Sequence, residues 1–225
     1  MARATISPGS VRYLFASAKY LADLGFRSMT FKAAVNCNWS PEDFDALREQ
    51  YEKVAQFYLE RLASGQLLNI EEFAKGLRSI HSPAARPKFP CGAGRGMALV
   101  DPRGGLWPCH RFGPHQCGGQ FTFGQLGAPF NDRLRSVFLN YDVQQDSKAG
   151  CQGCPAALTC RSWCYAECVD CMHSFYDPGK EYCEVNRIVN AQVIQLYDRL
   201  RSDYPAVLKR VLEDERQPKP GARRP

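Results

Sequence analysis

Seven of the eleven cysteines in this chain fall between Cys151 and Cys183, in the run CQGCPAALTCRSWCYAECVDCMHSFYDPGKEYC, and that density limits what the chain can become. Thiolates are soft donors that select zinc, cuprous copper or iron-sulfur clusters. A short CxxC loop such as Cys151 to Cys154 lets two sulfurs reach one centre without straining the backbone. Seven donors in thirty-three residues read as a ligand set rather than as core packing. No apolar signal core follows the start of the chain and no run reaches the roughly eighteen apolar residues of a membrane span, so a cytoplasmic protein is expected. Cytoplasmic thiols stay reduced, and the odd total of eleven favours metal over a disulfide framework.

Composition sets further bounds. An apolar content of 44% is enough for a conventional core. The formal charge of +6 suggests nucleic acid at first sight. The Lys and Arg residues, however, are scattered among acids, with no basic stripe outside the tail, so neither a nucleic-acid nor a membrane partner is expected.

The segment from Ser10 to Gly25 carries Val11, Leu14, Phe15, Ala18, Leu21 and Ala22 at helical spacing, with Ser10 as N-cap and Gly25 as the stop. Met29, Phe31, Ala33 and Val35 then alternate as in a strand. Ser40 as cap, Pro41 at the first helical position and acids in the first turn open a long helix. It runs to Gly65 with Phe44, Leu47, Tyr51, Val54, Phe57, Tyr58 and Leu62 on one side. Asn69 with Glu72 forms a capping-box pattern for a short helix to about Ser79.

Three prolines and two glycines in HSPAARPKFPCGAG end the periodic patterns and place a boundary near residue 85. Beyond it, GMALVDPRGGLWPCH reads as a β-hairpin turning over Asp101 to Gly105, which brings Cys91 and Cys109 toward one end. A short helix is expected from Asp132 to Tyr141, with Leu134, Val137 and Phe138 inward. The cysteine run fits neither period and is expected to be loop wrapped on metal. A helix from Lys180 to Leu200 buries Val185, Ile188, Val189, Val193, Leu196 and Tyr197, and the tail RQPKPGARRP is expected to be disordered.

The order of these cysteines carries a family resemblance. Twelve residues separate Cys91 from Gly104 and four separate Gly104 from Cys109; after a gap come Cys151xxCys154xxxxxCys160xxxCys164, and after a second gap Cys183. This pattern resembles the SPASM domain, the extension of many radical SAM enzymes that carries two auxiliary 4Fe-4S clusters. Upstream, the helix, strand and long helix that include Asn38-Trp39-Ser40 look similar to the last part of the radical SAM barrel of peptide-modifying members. The resemblance implies an α+β chain in three parts: a partial α/β barrel remnant over 1–85, an irregular SPASM module with a β-hairpin and a C-terminal helix over 86–200, and a short helix with a basic tail over 201–225.

Carried over residue by residue, it implies that Cys91, Cys109 and Cys164 ligate one cluster and that Cys151, Cys154, Cys160 and Cys183 ligate the other. No cysteine lies shortly before Cys91 to complete the first set, and Cys117 is the substitute; an open iron is the other possibility. Two oxidised clusters would also cut the formal charge to about +2. His110 follows Cys109 where sulfatase-maturing relatives carry an acidic residue credited with proton abstraction, which makes it a catalytic candidate.

The implied role is electron transfer and substrate binding in the radical SAM-dependent modification of a peptide or protein, an oxidoreductase setting. Cys164xxxCys168xxCys171 spells the CxxxCxxC string that binds the catalytic cluster in the family, but only 54 residues follow Cys171, too few for the barrel that follows that motif there. The chain thus looks like the C-terminal half of such an enzyme, inactive alone, with S-adenosylmethionine bound only if a missing N-terminal region or a partner subunit supplies the barrel. The alternative is a zinc-binding interaction module built on Cys151xxCys154 and Cys168xxCys171. Its thirteen-residue gap is shorter than the usual spacing, and it leaves Cys91, Cys109 and Cys183 unused.

Overall fold

The computed structural model describes residues 1–34, 37–83, 91–115, 119–140, 151, 153–160, 164–172, 174–175 and 178–213, with the side chains of 171 and 172 excepted. Val35, Cys117, Trp163, His173 and the basic tail after residue 213 lie outside the described residues. The chain divides into two compact units. One comprises Met1–Ala85, Pro155–Cys160 and Glu184–Pro225, the other Arg86–Cys154 and Arg161–Cys183.

The first unit is a β–α–β–α–β–α succession: β1 (Ala2–Ile6), α1 (Leu14–Asp23), β2 (Ser28–Ala33), α2 (Pro41–Ala63), β3 (Asn69–Ile70) and α3 (Glu71–His81). The strands are parallel in the order β1-β2-β3, with Arg3 opposite Thr30, Thr5 opposite Lys32 and Met29 opposite Ile70. Each strand lies beside its successor, as in consecutive β–α–β units. The core takes Met29 and Phe31 from β2, Leu14 and Ala18 from α1, Leu47, Val54 and Tyr58 from α2, and Phe73 and Leu77 from α3. Thr30 and Lys32, alternate along β2, instead meet Glu72: the Thr30 hydroxyl donates at 2.6 Å and Lys32 Nζ stands at 2.9 Å.

Local chemistry sets the helix ends. Ser40 Oγ accepts from the Asp43 N–H while Asp43 Oδ2 accepts from the Ser40 N–H, and Pro41 occupies a position whose N–H has no helical partner. Helix α1 ends as its glycine predicts, the Gly25 and Phe26 N–H groups donating to the Ala22 and Leu21 carbonyls.

Three expectations change. Ser10 makes no side-chain cap: its hydroxyl accepts from the Ser7 N–H, and a 3-10 turn at Val11–Tyr13 leads into α1. Asn69 does not cap α3 either. It lies in β3, where its Nδ2 donates to Ser28 Oγ at 3.0 Å, and the strand bonds take the place that capping would need. Strand β1 is absent from the sequence reading because Ala-Arg-Ala-Thr-Ile has a single large apolar residue; pairing with β2 along all five residues makes it a strand.

The C-terminal helices α6 (Lys180–Asp203) and α7 (Pro205–Glu213) return to this unit. Ile188, Val193, Leu196 and Leu200 from α6 join its core, as do Leu208 and Val211 from α7.

The second unit is built on a three-stranded antiparallel sheet of β4 (Leu99–Val100), β5 (Gly105–Trp107) and β6 (Gly124–Gln125). The hairpin forms as read, with Leu99 opposite Trp107 and Val100 opposite Leu106. Asp101 shapes its turn: Oδ1 accepts from the Arg103 and Gly105 N–H groups and Oδ2 from the Trp107 indole at 3.0 Å. These bonds, led by the one from Trp107, hold its carboxyl below the ordinary carboxylate range. Helix α4 (Asp132–Leu139) is capped by Asn131, whose side chain accepts from the Leu134 N–H, and it buries Phe138.

The cysteine run is not all loop: Tyr165–Met172 is helix α5. It buries four consecutive residues, Tyr165, Ala166, Glu167 and Cys168, so no amphipathic period marks it in the sequence.

Candidate metal centre

Cys91, Cys109 and Cys164 come from three separate segments of the second unit: the start of that unit, the end of β5 and the residue before α5. The Gly94 N–H donates to the Pro108 carbonyl at 3.0 Å, which ties the Cys91 loop to the end of the hairpin. Cys91 Sγ is raised in pKa, first by the protein packed around it, although the residue as a whole is exposed, and then by the nearby thiols of Cys164 and Cys109. Opposing this, it accepts from the backbone N–H groups of Ala93 and Tyr165. Cys109 is buried and likewise raised, first by desolvation and then by Cys164, while the Arg111 and Phe112 N–H groups donate to its sulfur.

Cys164 thus lies near the sulfurs of Cys91 and Cys109, and the latter two are cradled by amide donors. Backbone N–H groups aimed at sulfur favour the thiolate, the form that binds metal, and burial opposes that charge until a cation balances it. Among the described residues, no three His, Cys, Asp or Glu side chains converge closely enough to hold a single metal ion. A cluster presents a separate iron to each thiolate, so its ligands need not converge on one point.

Arg111 stands at this site and was not singled out in the sequence. Its Nη1 donates to Cys164 Sγ at 3.3 Å, and its Nη2 reaches Asp170 Oδ2 at 3.4 Å. Burial lowers the Arg111 pKa, but Cys164, Glu167 and Asp170 outweigh it and the guanidinium stays charged. Glu167, one turn into α5, is 10% exposed and 3.9 Å from Arg111 Nη1. Burial pushes its carboxyl up to about 7; Arg111 pulls down, while Asp170 and Glu181 push up. The pair is unequal: Arg111 senses an anion at Glu167, while Glu167 itself tends to neutrality. Desolvation prevails because Glu167 Oε2 has no hydrogen bond among the described residues, and 3.9 Å is too long for one. No local spacing points to Arg111, which lies 53 residues from Cys164 in the sequence.

Behind the sulfurs lies an aromatic wall. Phe138 meets Phe112, Tyr165 and Phe175 edge to face at 5.6, 5.1 and 5.4 Å between ring centres. Phe121 closes it at 5.1 Å from Phe112. Such a wall keeps water from one side of the site.

Of the other candidates, Cys151 and Cys154 form a tight turn in which the Cys154 N–H donates to the Cys151 carbonyl at 3.2 Å. Gly153 within it has φ 74°, a conformation that costs a glycine nothing. Cys160 ends the Pro155–Cys160 segment of the first unit, its N–H donating to Ala156, and Cys183 sits in the first turn of α6. His110 opens a 3-10 turn after Cys109 and is exposed. Cys168 is 1% exposed within the aromatic core, where it packs as a small apolar residue. Cys37 packs against the core of the first unit.

No family model and no curated protein matches the chain. Solved structures do, among them members of the radical SAM/SPASM class. These include structures of anSMEcpe, an anaerobic sulfatase-maturating enzyme. The structure of anSMEcpe with bound AdoMet superimposes with a TM-score of 0.64 at 15% identity, over 92% of this chain and 57% of the other. With bound AdoMet and the Kp18Cys peptide, the TM-score is 0.59 at 14% identity, over 93% and 56%. The chain spans a little over half the length of that enzyme, and at these identities the likeness is one of fold.

Proposed function

We propose that this chain is an iron-sulfur module of a radical SAM-type system that modifies a peptide or protein, with two 4Fe-4S clusters. The observation that carries the reading is the gathering of Cys91, Cys109 and Cys164 from three segments into one amide-lined site beside Arg111. These three would hold one cluster, with Cys117 or an open iron at its fourth corner. Cys151, Cys154, Cys160 and Cys183 would hold the second, as the cysteine register implies. A bound cluster supplies one-electron transfer.

The chain's own residues do the rest. Amide donors to sulfur stabilise the thiolates, Arg111 compensates their charge, and the Phe112–Phe138–Tyr165 wall limits water. Exposed His110 is the proton-transfer candidate beside Cys109.

The first unit supports the same reading as a remnant of an α/β barrel. Parallel sheets are covered on both faces, and the face bearing Thr30, Lys32 and Glu72 is polar, as the inner face of a larger barrel would be. The resemblance assigns S-adenosylmethionine cleavage to a further barrel region or partner chain.

The test is cofactor content. Anaerobically reconstituted protein should be brown and hold roughly eight iron and eight sulfide per chain, four of each per cluster. Cys109→Ala should remove about half. A colourless protein with stoichiometric zinc would sink the proposal.

A further inference from the structure

We infer that the first unit docks a second copy of this chain across the open edge of β1 and the flank of α1 beside it, a contact independent of the cysteines. Among the described residues β1 pairs with β2 alone, so its outer edge offers backbone groups that a further strand can take up. Helix α1 turns Leu14 and Ala18 into the core. On one side it packs toward α2: Phe15 meets Phe57 at 6.1 Å between ring centres, and Asp23 accepts from Lys19 at 2.7 Å and from Arg61 at 2.8 Å. Tyr13, Ser17, Tyr20 and Leu24 recur at helical spacing on the opposite flank. Because α1 joins β1 to β2 and α2 joins β2 to β3, that flank lies over the outer side of β1. Tyr13, Tyr20 and Leu24 are 66%, 65% and 58% exposed, and the stripe holds no charged side chain. The solvent face of a helix ordinarily carries charge, so an uncharged stripe of large side chains beside an open strand marks a docking surface.

The arrangement of these residues selects the occupant. The stripe is symmetric about a point between Ala18 and Lys19. An antiparallel second copy therefore sets Tyr13 against Leu24 of the other copy and Ser17 against its Tyr20, so that each tyrosine faces a smaller side chain. Strand β1 is symmetric in the same sense about Ala4: an antiparallel copy sets Arg3 against Thr5 and brings no like charges face to face.

One two-fold axis serves both pairings. Ten residues of α1 span about 15 Å and five of β1 about 16 Å, so the two midpoints can share an axis. Neighbouring strands lie about 4.8 Å apart, and a crossover helix lies over its own strand pair. Each α1 then stands about one strand spacing from the axis, and the two copies of α1 are about 10 Å apart, the distance of packed helices. Closed two-fold pairs are the commonest self-association. A parallel β–α unit of another chain would fill the same edge without any need of this symmetry, which favours the second copy. Two tyrosines about two-thirds exposed offer roughly 200–300 Å² per copy, short of the roughly 800 Å² of a tight complex. The dimer is therefore weak, with a dissociation constant on the order of 10 μM.

The experiment is sedimentation velocity of the full chain over about 1–100 μM, with reductant present so that no disulfide links the copies. A monomer–dimer equilibrium is expected, with slower hydrogen exchange in 2–6 and 13–24 at the higher concentrations. Tyr20→Glu, at an exposed position, puts a charge into the contact and should weaken it at least about tenfold with circular dichroism unchanged. Ser17→Lys should do the same, and mixing the two variants should restore a dimer with one copy of each, since opposite charges then meet. A chain that stays monomeric to about 100 μM overturns the proposal, as does a dimer that Tyr20→Glu leaves unchanged. A mixture that associates no more tightly than either variant alone overturns the antiparallel pairing. Iron content enters none of these outcomes, so they are read separately from the clusters.

Discussion

Replacing Gly76 with Ala tests whether the C-terminal helix belongs to the first unit. Gly76 is buried in α3, and a Cβ there would lie 2.5 Å from Val193 Cγ1, 2.9 Å from Cγ2 and 3.2 Å from Cβ on α6. Val193 is fully buried, and a β-branched side chain in a helix has one favoured χ1, so turning one methyl away drives the other in. The helices must instead move apart, at about 1–3 kcal/mol for an overpacked core. Exchanging Gly for Ala inside a helix returns about 0.8–1.0 kcal/mol. The net expectation is a loss of about 0–2 kcal/mol. Val193→Ala alone removes two buried methyl groups, at about 0.8 kcal/mol each plus a cavity cost. In that background the added methyl has room, so Gly76→Ala should stabilise by about 1 kcal/mol, its propensity gain. The sign reversal is the decisive outcome. Urea unfolding followed by helical circular dichroism measures it, with hydrogen exchange of α3 and α6 reporting the local effect. A Gly76→Ala protein more stable than the parent, or a coupling below about 0.5 kcal/mol, would refute the packing.

Arg111→Met should keep the fold of the reconstituted protein but lower the reduction potential of the adjacent cluster by on the order of tens of millivolts, because a cation and a donor to Cys164 sulfur are lost; a redox titration by electron paramagnetic resonance reads it, and Arg111→Lys should recover part. Glu167 holds its proton to about 7 in the folded chain against an ordinary 4.5, so the folded state binds more protons in that window and stability should fall as pH rises through it, by at most about 3 kcal/mol. Glu167→Gln should flatten that slope in urea midpoints of the metal-free protein between about pH 5 and 8, and an unchanged slope would put the charge elsewhere. Cys117→Ala should retain full iron, with an added thiol perturbing the spectrum at an open corner; loss of about half the iron would make Cys117 a ligand.

The sequence by itself determined whatever depends on partners a few residues apart. The start of α2 is written in Ser40, Pro41 and Asp43, and the hairpin turn in Asp101 through Gly105, because each side chain there bonds backbone within its own turn. The amphipathic faces of α2 and α6 were legible from their 3.6-residue period, whereas the assignment of Cys91, Cys109 and Cys164 to one cluster is a proposal drawn from the order of cysteines along the whole chain. Tertiary structure alone decided the rest. Strand β1 exists because β2 pairs with it, α5 because its cysteine and aromatic residues have a core to enter, and Arg111 matters because folding carries it 53 residues along the chain to Cys164. Likewise α6 and α7 show an apolar face in the sequence but not its destination. Hydrophobic burial is non-directional, and only the shape of the opposing surface, such as the gap left by Gly76 for Val193, selects where such a face settles.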